Sequence, residues 1–221
     1  MQRKRERGEE INPELLEMLK EFVKYQEELQ AKGNKLSVNN ANFAASLEKD
    51  KNLNNRTEYI KEAFKKYNSY NTNDWIRAGF DEYSGGYRVY HKEHFFDPTI
   101  GKFGIPRGDY EKNTSEVLSK YGMSVVLLSE KQEYGTKTPD GYLNGKLFDI
   151  KGVEGEGKNN IINNLKGASK KEIESIVFYY HDKNLFSEKQ LREGYRFYLR
   201  NSEHKHIRRI YYIVGGKLFA L

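Results

Sequence analysis

The 221-residue chain contains no cysteine, which excludes a disulfide scaffold and a thiolate zinc site. No apolar run approaches the length needed to span a bilayer. The opening stretch Met1-Gln2-Arg3-Lys4-Arg5-Glu6-Arg7 lacks the apolar centre of a secretory leader. A soluble protein with no membrane partner is therefore expected, and nothing in the composition argues against a reducing cytoplasm. Internal repeats are also missing. Hydrophobic residues make up only 37% of the chain, with a mean hydropathy of -0.90. Aromatic side chains compensate, because 17 Tyr and 12 Phe bury a large area per residue and allow a packed core. The length suits one large domain, or a medium domain with a small companion. Acidic residues are outnumbered. The net charge of +6 and a pI near 9.1 favour an anionic partner such as nucleic acid.

Helical signals dominate the first third. Asn12-Pro13 supplies an N-cap followed by proline at the first helical position. Leu15, Leu16, Leu19, Phe22, Val23 and Leu29 then repeat at helical spacing until Gly33. Further helices are expected over 40–49 and 55–67. The polar tract 68–74 reads as a linker, dividing the chain into a helical N-terminal segment, 1–74, and an α/β domain, 75–221. In the second part, 87–91 reads as a strand, 96–108 as a loop, and 109–121 as a helix stopped by Gly122. The run 123–128 has the composition of a buried strand. After a hairpin over 138–151 comes a Gly-rich stretch, 152–157, expected to be mobile. A helix over 159–170, a strand over 176–180, a helix over 187–200 and a closing hairpin around Gly215-Gly216 complete the pattern. From the helix at 109 onward the order is α-β-β-β-α-β-α-β-β. That order predicts an α/β fold, a mixed β-sheet flanked by helices.

The hairpin carries the most information about function. Asn144-Gly145 is the preferred pair for a two-residue type I′ turn. With those two at the turn, Leu143 faces Lys146, Tyr142 faces Leu147, Gly141 faces Phe148 and Asp140 faces Asp149. Lys151, two residues beyond Asp149, shares its face. Like charges opposed across a ladder are destabilising. Nothing in folding asks for two carboxylates there, and a divalent metal ion would neutralise them.

These residues resemble the signature of the PD-(D/E)XK nuclease superfamily: Pro139-Asp140, then Asp149-Ile150-Lys151, behind a helix and a buried strand. The phrasing Thr138 to Gly152 is similar to toxin nuclease domains of bacterial contact-dependent inhibition systems, several of which cleave tRNA. It also resembles domains attached to phage head-morphogenesis and mobile-element proteins. The resemblance spans about residues 85 to 221 and implies a restriction-endonuclease-like core. It further implies a metal-dependent endonuclease, acting on RNA in preference to DNA, with a cognate immunity protein as partner and delivery into a target cell. Asp140 and Asp149 would bind Mg²⁺ or Mn²⁺ through hard oxygens, and Lys151 would assist the attacking water. The resemblance adds a third carboxylate from the helix before the hairpin, for which Glu111 is the first choice and Glu116 the second. The alternative reading is a non-catalytic phage or mobile-element protein that only binds nucleic acid. Neither reading specifies an oligomeric state.

Other groups read more plainly. His91 and His94, at a strand end, are expected to be two independent surface histidines rather than a metal pair. Lys158, Lys166, Lys170 and Lys171 flank the helix after the hairpin and would guide a phosphate backbone. His204, Lys205, His206, Arg208 and Arg209 suggest a basic rim, with Arg208 as its nucleic-acid contact. In each of the pairs Tyr179-Tyr180 and Tyr211-Tyr212, one member is expected in the core and one is available for stacking.

Overall fold

The computed structural model describes residues 53–129, 138–202 and 206–221. The helices expected over 12–33 and 40–49 lie outside the described residues. The first described element is α1, Leu53–Ser69, followed by strands β1, Trp75–Phe80, and β2, Tyr87–His91. Helix α2 spans Gly108–Lys120 and leads into β3, Ser124–Leu127. The hairpin is β4, Gly141–Leu143, with β5, Lys146–Gly152. Helix α3, Lys158–Ser169, precedes β6, Ser175–Tyr180. Helix α4, Glu188–Asn201, precedes the closing strands β7, Arg209–Val214, and β8, Lys217–Ala220. Among the described residues no helix is long and apolar enough to cross a membrane.

The eight described strands form one sheet in chain order. Pairs β2–β3, β5–β6 and β6–β7 are parallel, and α2, α3 and α4 make those three crossovers. The remaining pairs are antiparallel. This is the mixed sheet flanked by helices that the sequence predicts. Strand β1 was not expected, and it pairs with β2 through a register shift between Arg77 and Gly79.

Each helix covers a defined part of the sheet. On one face, Leu118 of α2 and Met123 pack with Val125, Leu127, Phe148, Ile150 and Val177. Burying a Leu or Phe side chain of this kind stabilises the fold by roughly 1.5–3 kcal/mol. On the other face, Ala63 of α1 packs with Tyr87, Val89 and Val126. Farther along that second face, Ile161 and Leu165 of α3 and Leu191 and Tyr198 of α4 pack with Ile176, Phe178, Ile210 and Tyr212. Successive side chains on a strand alternate between faces. Asp149 and Lys151 alternate with Phe148 and Ile150, and so lie on the second face. Tyr142, opposite Leu147, shares that face and is exposed. The seam of β4 and β5 thus lies between the part covered by α1 and the part covered by α3 and α4.

Local sequence explains the precision of this seam. Asn144 and Gly145 both have positive φ, 50° and 77°, as a type I′ turn requires. The register is the expected one: Gly141 with Phe148, Tyr142 with Leu147, Leu143 with Lys146. The Asn144 carboxamide oxygen also accepts from the Ser124 backbone N–H at 2.8 Å, fixing the turn to the start of β3. Gly141 allows close approach of β3, since a Cβ there would lie 2.0 Å from the Val126 carbonyl oxygen. Upstream, α2 ends in a Schellman motif. Gly122 has φ 79°, Met123 N–H donates to the Leu118 carbonyl at 3.1 Å, and Gly122 N–H donates to Ser119 at 3.0 Å.

Candidate functional site

Strand alternation and the I′ turn bring Asp140 beside Asp149, and the rest of the site grows from that pair. The Asp149 side chain is 0% exposed and that of Asp140 is 12% exposed. Asp140 Oδ2 accepts from the Ile150 backbone N–H at 2.6 Å, which turns its carboxylate toward β5. Lys171, just beyond the C-terminal end of α3, bridges the two acids. Its Nζ lies 3.2 Å from Asp140 Oδ1 and 2.5 Å from Asp149 Oδ1. Lys151 Nζ stands 2.5 Å from Asp149 Oδ2. The Lys151 ammonium is thus the cation that this buried oxygen faces.

The electrostatics follow from burial and crowding. Burial pushes the Asp140 carboxyl well above the ordinary aspartate range, and the neighbouring Asp149 charge and hydrogen bond push it further. Burial also opposes ionisation of Asp149. There, however, Lys151, a hydrogen bond from Asp140 and Lys171 together outweigh burial and hold the carboxyl below its usual value. Lys171 shows the converse. Burial favours its neutral form, but Asp140 and Asp149 raise its pKa above that of an ordinary lysine. The first proton to be held is therefore on the Asp140 side, and Asp149 stays an anion between two ammonium groups.

The sequence-derived candidates divide accordingly. Asp140, Asp149 and Lys151 converge as expected. Lys171, expected to guide phosphate from the surface, instead reaches into the acid pair; its side chain is only 17% exposed. Lys158, Lys166 and Lys170 are exposed on or beside α3, and Lys166 Nζ lies 5.7 Å from the centre of the Phe197 ring. Arg208 is exposed, with its backbone N–H donating to the Glu174 carbonyl at 2.9 Å. His204 and Lys205 lie outside the described residues. Tyr180 and Tyr212 are buried, while Tyr179 and Tyr211 are half-buried.

Glu111 has a partner that the sequence did not reveal. Its Oε2 lies 2.9 Å from His94 Nε2, and the opposite ring nitrogen of His94 lies 2.7 Å from the Leu128 carbonyl oxygen. The expectation of two independent surface histidines fails for His94, whose side chain is 0% exposed. The residue leaves the strand at a turn, closed by its N–H bond to the His91 carbonyl, and folds under Phe96 with ring centres 4.7 Å apart. His91 is half-buried, its ring edge-on to Trp75. Glu116 is turned to Lys120, 2.7 Å away on the exposed side of α2.

Among the described residues no three His, Asp or Glu side chains are gathered as a metal-binding group. Mg²⁺ needs only one or two protein carboxylates, with waters completing its shell. Asp140 and Asp149 supply two, and Asp149 Oδ2 is a hard donor already facing a cation. The donor set therefore fits a hard divalent ion, with the Lys171 ammonium standing between the two acids.

Residues 137–218 match the family model of the contact-dependent growth inhibition CdiA C-terminal domain. The match covers less than half of the chain but contains Asp140, Asp149, Lys151 and Lys171, and it supports the likeness to such toxin domains. No curated protein matches the chain, and no solved structure does.

Proposed function

We propose that the chain is a metal-dependent nuclease that hydrolyses phosphodiester bonds, with Asp140, Asp149, Lys151 and Lys171 as its working residues. The observation that carries this reading is the buried acid pair held between two lysines. Folding gains nothing from it, because an apolar pair at the same positions would be as stable or more so. Perturbed carboxylates with a specific charge partner are what hydrolytic chemistry requires.

Asp140 and Asp149 would hold Mg²⁺ or Mn²⁺. Such an ion, when bound, lowers the pKa of a bound water and neutralises charge on the phosphate. Lys151, on the same strand face as Asp149, orients the attacking water and stabilises charge developing on the phosphoryl oxygens. Lys171 neutralises the acid pair while the site is empty of substrate, and offers its ammonium to phosphate as a point charge. Exposed Lys158, Lys166 and Lys170 supply a basic track for the phosphate backbone leading to Lys171.

RNA, and tRNA in particular, is the favoured substrate by the toxin likeness, and a cognate immunity protein is the implied partner. A second reading is favoured by Lys171 itself, whose ammonium lies where the acids would hold a cation. In that reading two lysines supply the positive charge and cleavage needs no metal. Incubation of the purified protein with total RNA and with plasmid DNA, in Mg²⁺, in Mn²⁺ and in EDTA, separates the readings. Cleavage abolished by EDTA supports the metal-dependent reading, cleavage surviving EDTA supports the second, and no cleavage of either polymer refutes both.

A further inference from the structure

We infer that His94 is a positioning residue for Asp140, acting through the Leu128 backbone, and that Glu111 serves by holding His94 rather than as a member of the acid pair. The inference rests on the proposed reading of Asp140 as part of the cleavage site. Leu128 is bonded on both sides of one residue. Its N–H donates to the Asp140 carbonyl at 3.0 Å, and its carbonyl contacts His94 Nδ1 at 2.7 Å. A carbonyl oxygen only accepts, so Nδ1 carries a hydrogen and donates it. The other ring nitrogen meets Glu111 Oε2 at 2.9 Å, and the imidazole is walled by Phe96.

The result is a strut from the first turn of α2, across the imidazole, to the end of β3, where Asp140 enters β4. Beyond Leu127 the strand ladder ends. Among the described residues, the Leu128–Asp140 bond is therefore the last tie that fixes the Asp140 backbone before the carboxylate. The carboxylate itself is fixed on its far side by the Ile150 N–H at 2.6 Å. Removing the strut leaves the carboxyl group chemically intact but loosens its aim. Outer partners of this kind commonly change metal affinity or activity by about 10- to 100-fold.

The test compares Glu111→Gln, Glu111→Ala, His94→Gln and His94→Ala in the full chain. The first readout is amide hydrogen exchange at Leu128 and Ile150, followed by NMR without metal or substrate. The alanine variants are expected to lose protection at both amides, while the glutamine variants, which still bridge by hydrogen bonds, retain most of it. The second readout is Mn²⁺ affinity by calorimetry. Loss of about tenfold or more is expected for each alanine variant, less than threefold for Glu111→Gln, and no added loss in the double alanine variant. Glu111→Gln weakening Mn²⁺ as much as Glu111→Ala would make Glu111 a direct ligand and overturn the inference. Unchanged amide protection in His94→Ala would overturn it as well. Failure of the wild type to bind Mn²⁺, with the exchange pattern as expected, would overturn the metal reading and leave the strut standing.

Discussion

Replacing Lys171 with methionine keeps an unbranched side chain, one heavy atom shorter, and removes the charge that bridges Asp140 and Asp149. The Lys171 side chain is 17% exposed and faces carboxylates that are 12% and 0% exposed, so solvent screening is weak. Each unit-charge attraction at about 4 Å is worth roughly 4 kcal/mol at the effective dielectric of such sites. Desolvation of the ammonium cancels much of this, yet deleting one partner of a buried ion pair still costs about 3–5 kcal/mol, because the remaining charge is left uncompensated. Here Asp140 relieves part of the strain by taking up a proton, which its burial and the neighbouring Asp149 already favour. The expected loss near neutral pH is therefore at the lower end, about 3 kcal/mol. For a chain of this size that lowers the melting temperature by roughly 6–12 °C. The penalty should shrink in mildly acidic buffer, where the proton is easier to acquire. Urea unfolding of both proteins near pH 7.5 and near pH 5 measures it. A loss below about 0.5 kcal/mol at both values, typical of a surface lysine, would refute the placement of Lys171 in the acid pair.

Other substitutions probe the same architecture. In Asp140→Asn the pH dependence of stability should change in a definite direction. The folded carboxyl binds its proton more tightly than the unfolded one, so its contribution is complete below the unfolded pKa and is lost as pH rises through the raised folded value. Relative to wild type, the Asn variant should therefore gain stability as pH rises from the ordinary aspartate range through the raised folded value; thermal melts showing a parallel offset would contradict this. Gly141→Ala places a methyl group 2.0 Å from a backbone oxygen. It should destabilise the fold by about 1–3 kcal/mol or more, and a neutral effect in urea unfolding would mean that β3 and β4 are not so closely paired. Replacing Lys158, Lys166 and Lys170 together with alanine should lower the slope of log affinity against log salt for a single-stranded RNA by about 2. An unchanged slope would remove α3 from the nucleic-acid path.

The legible parts of the molecule are those fixed by neighbours in sequence. The Asn144-Gly145 turn and the period of two along β4 and β5 are local properties, and they place Asp140, Asp149 and Lys151 without help from the rest of the fold. Helix α2 was equally readable, since Gly122 at its end serves the capping role that only a residue at ease with positive φ serves well. Lys171 was not readable as a site residue, because its approach to Asp149 depends on how α3 crosses between β5 and β6. Read alone, it belongs to a run of polar lysines. The direction of the His94 ring is not legible from strand alternation, because the chain turns at 92–93. Strand β1 lacks an alternating pattern: Ile76 and Arg77 are both exposed, and a bulge interrupts its register.

The acid pair with its two lysines is proposed to cleave nucleic acid. The most direct measurement is the time course of total RNA cleavage in Mg²⁺ or Mn²⁺ by wild type and by Asp149→Asn, with both proteins shown to be folded by circular dichroism. Wild type is expected to give defined fragments, and the variant to lose at least about 100-fold in rate, the scale on which a lost electrostatic element of an active site is felt. Equal cleavage by the folded variant would contradict that proposal.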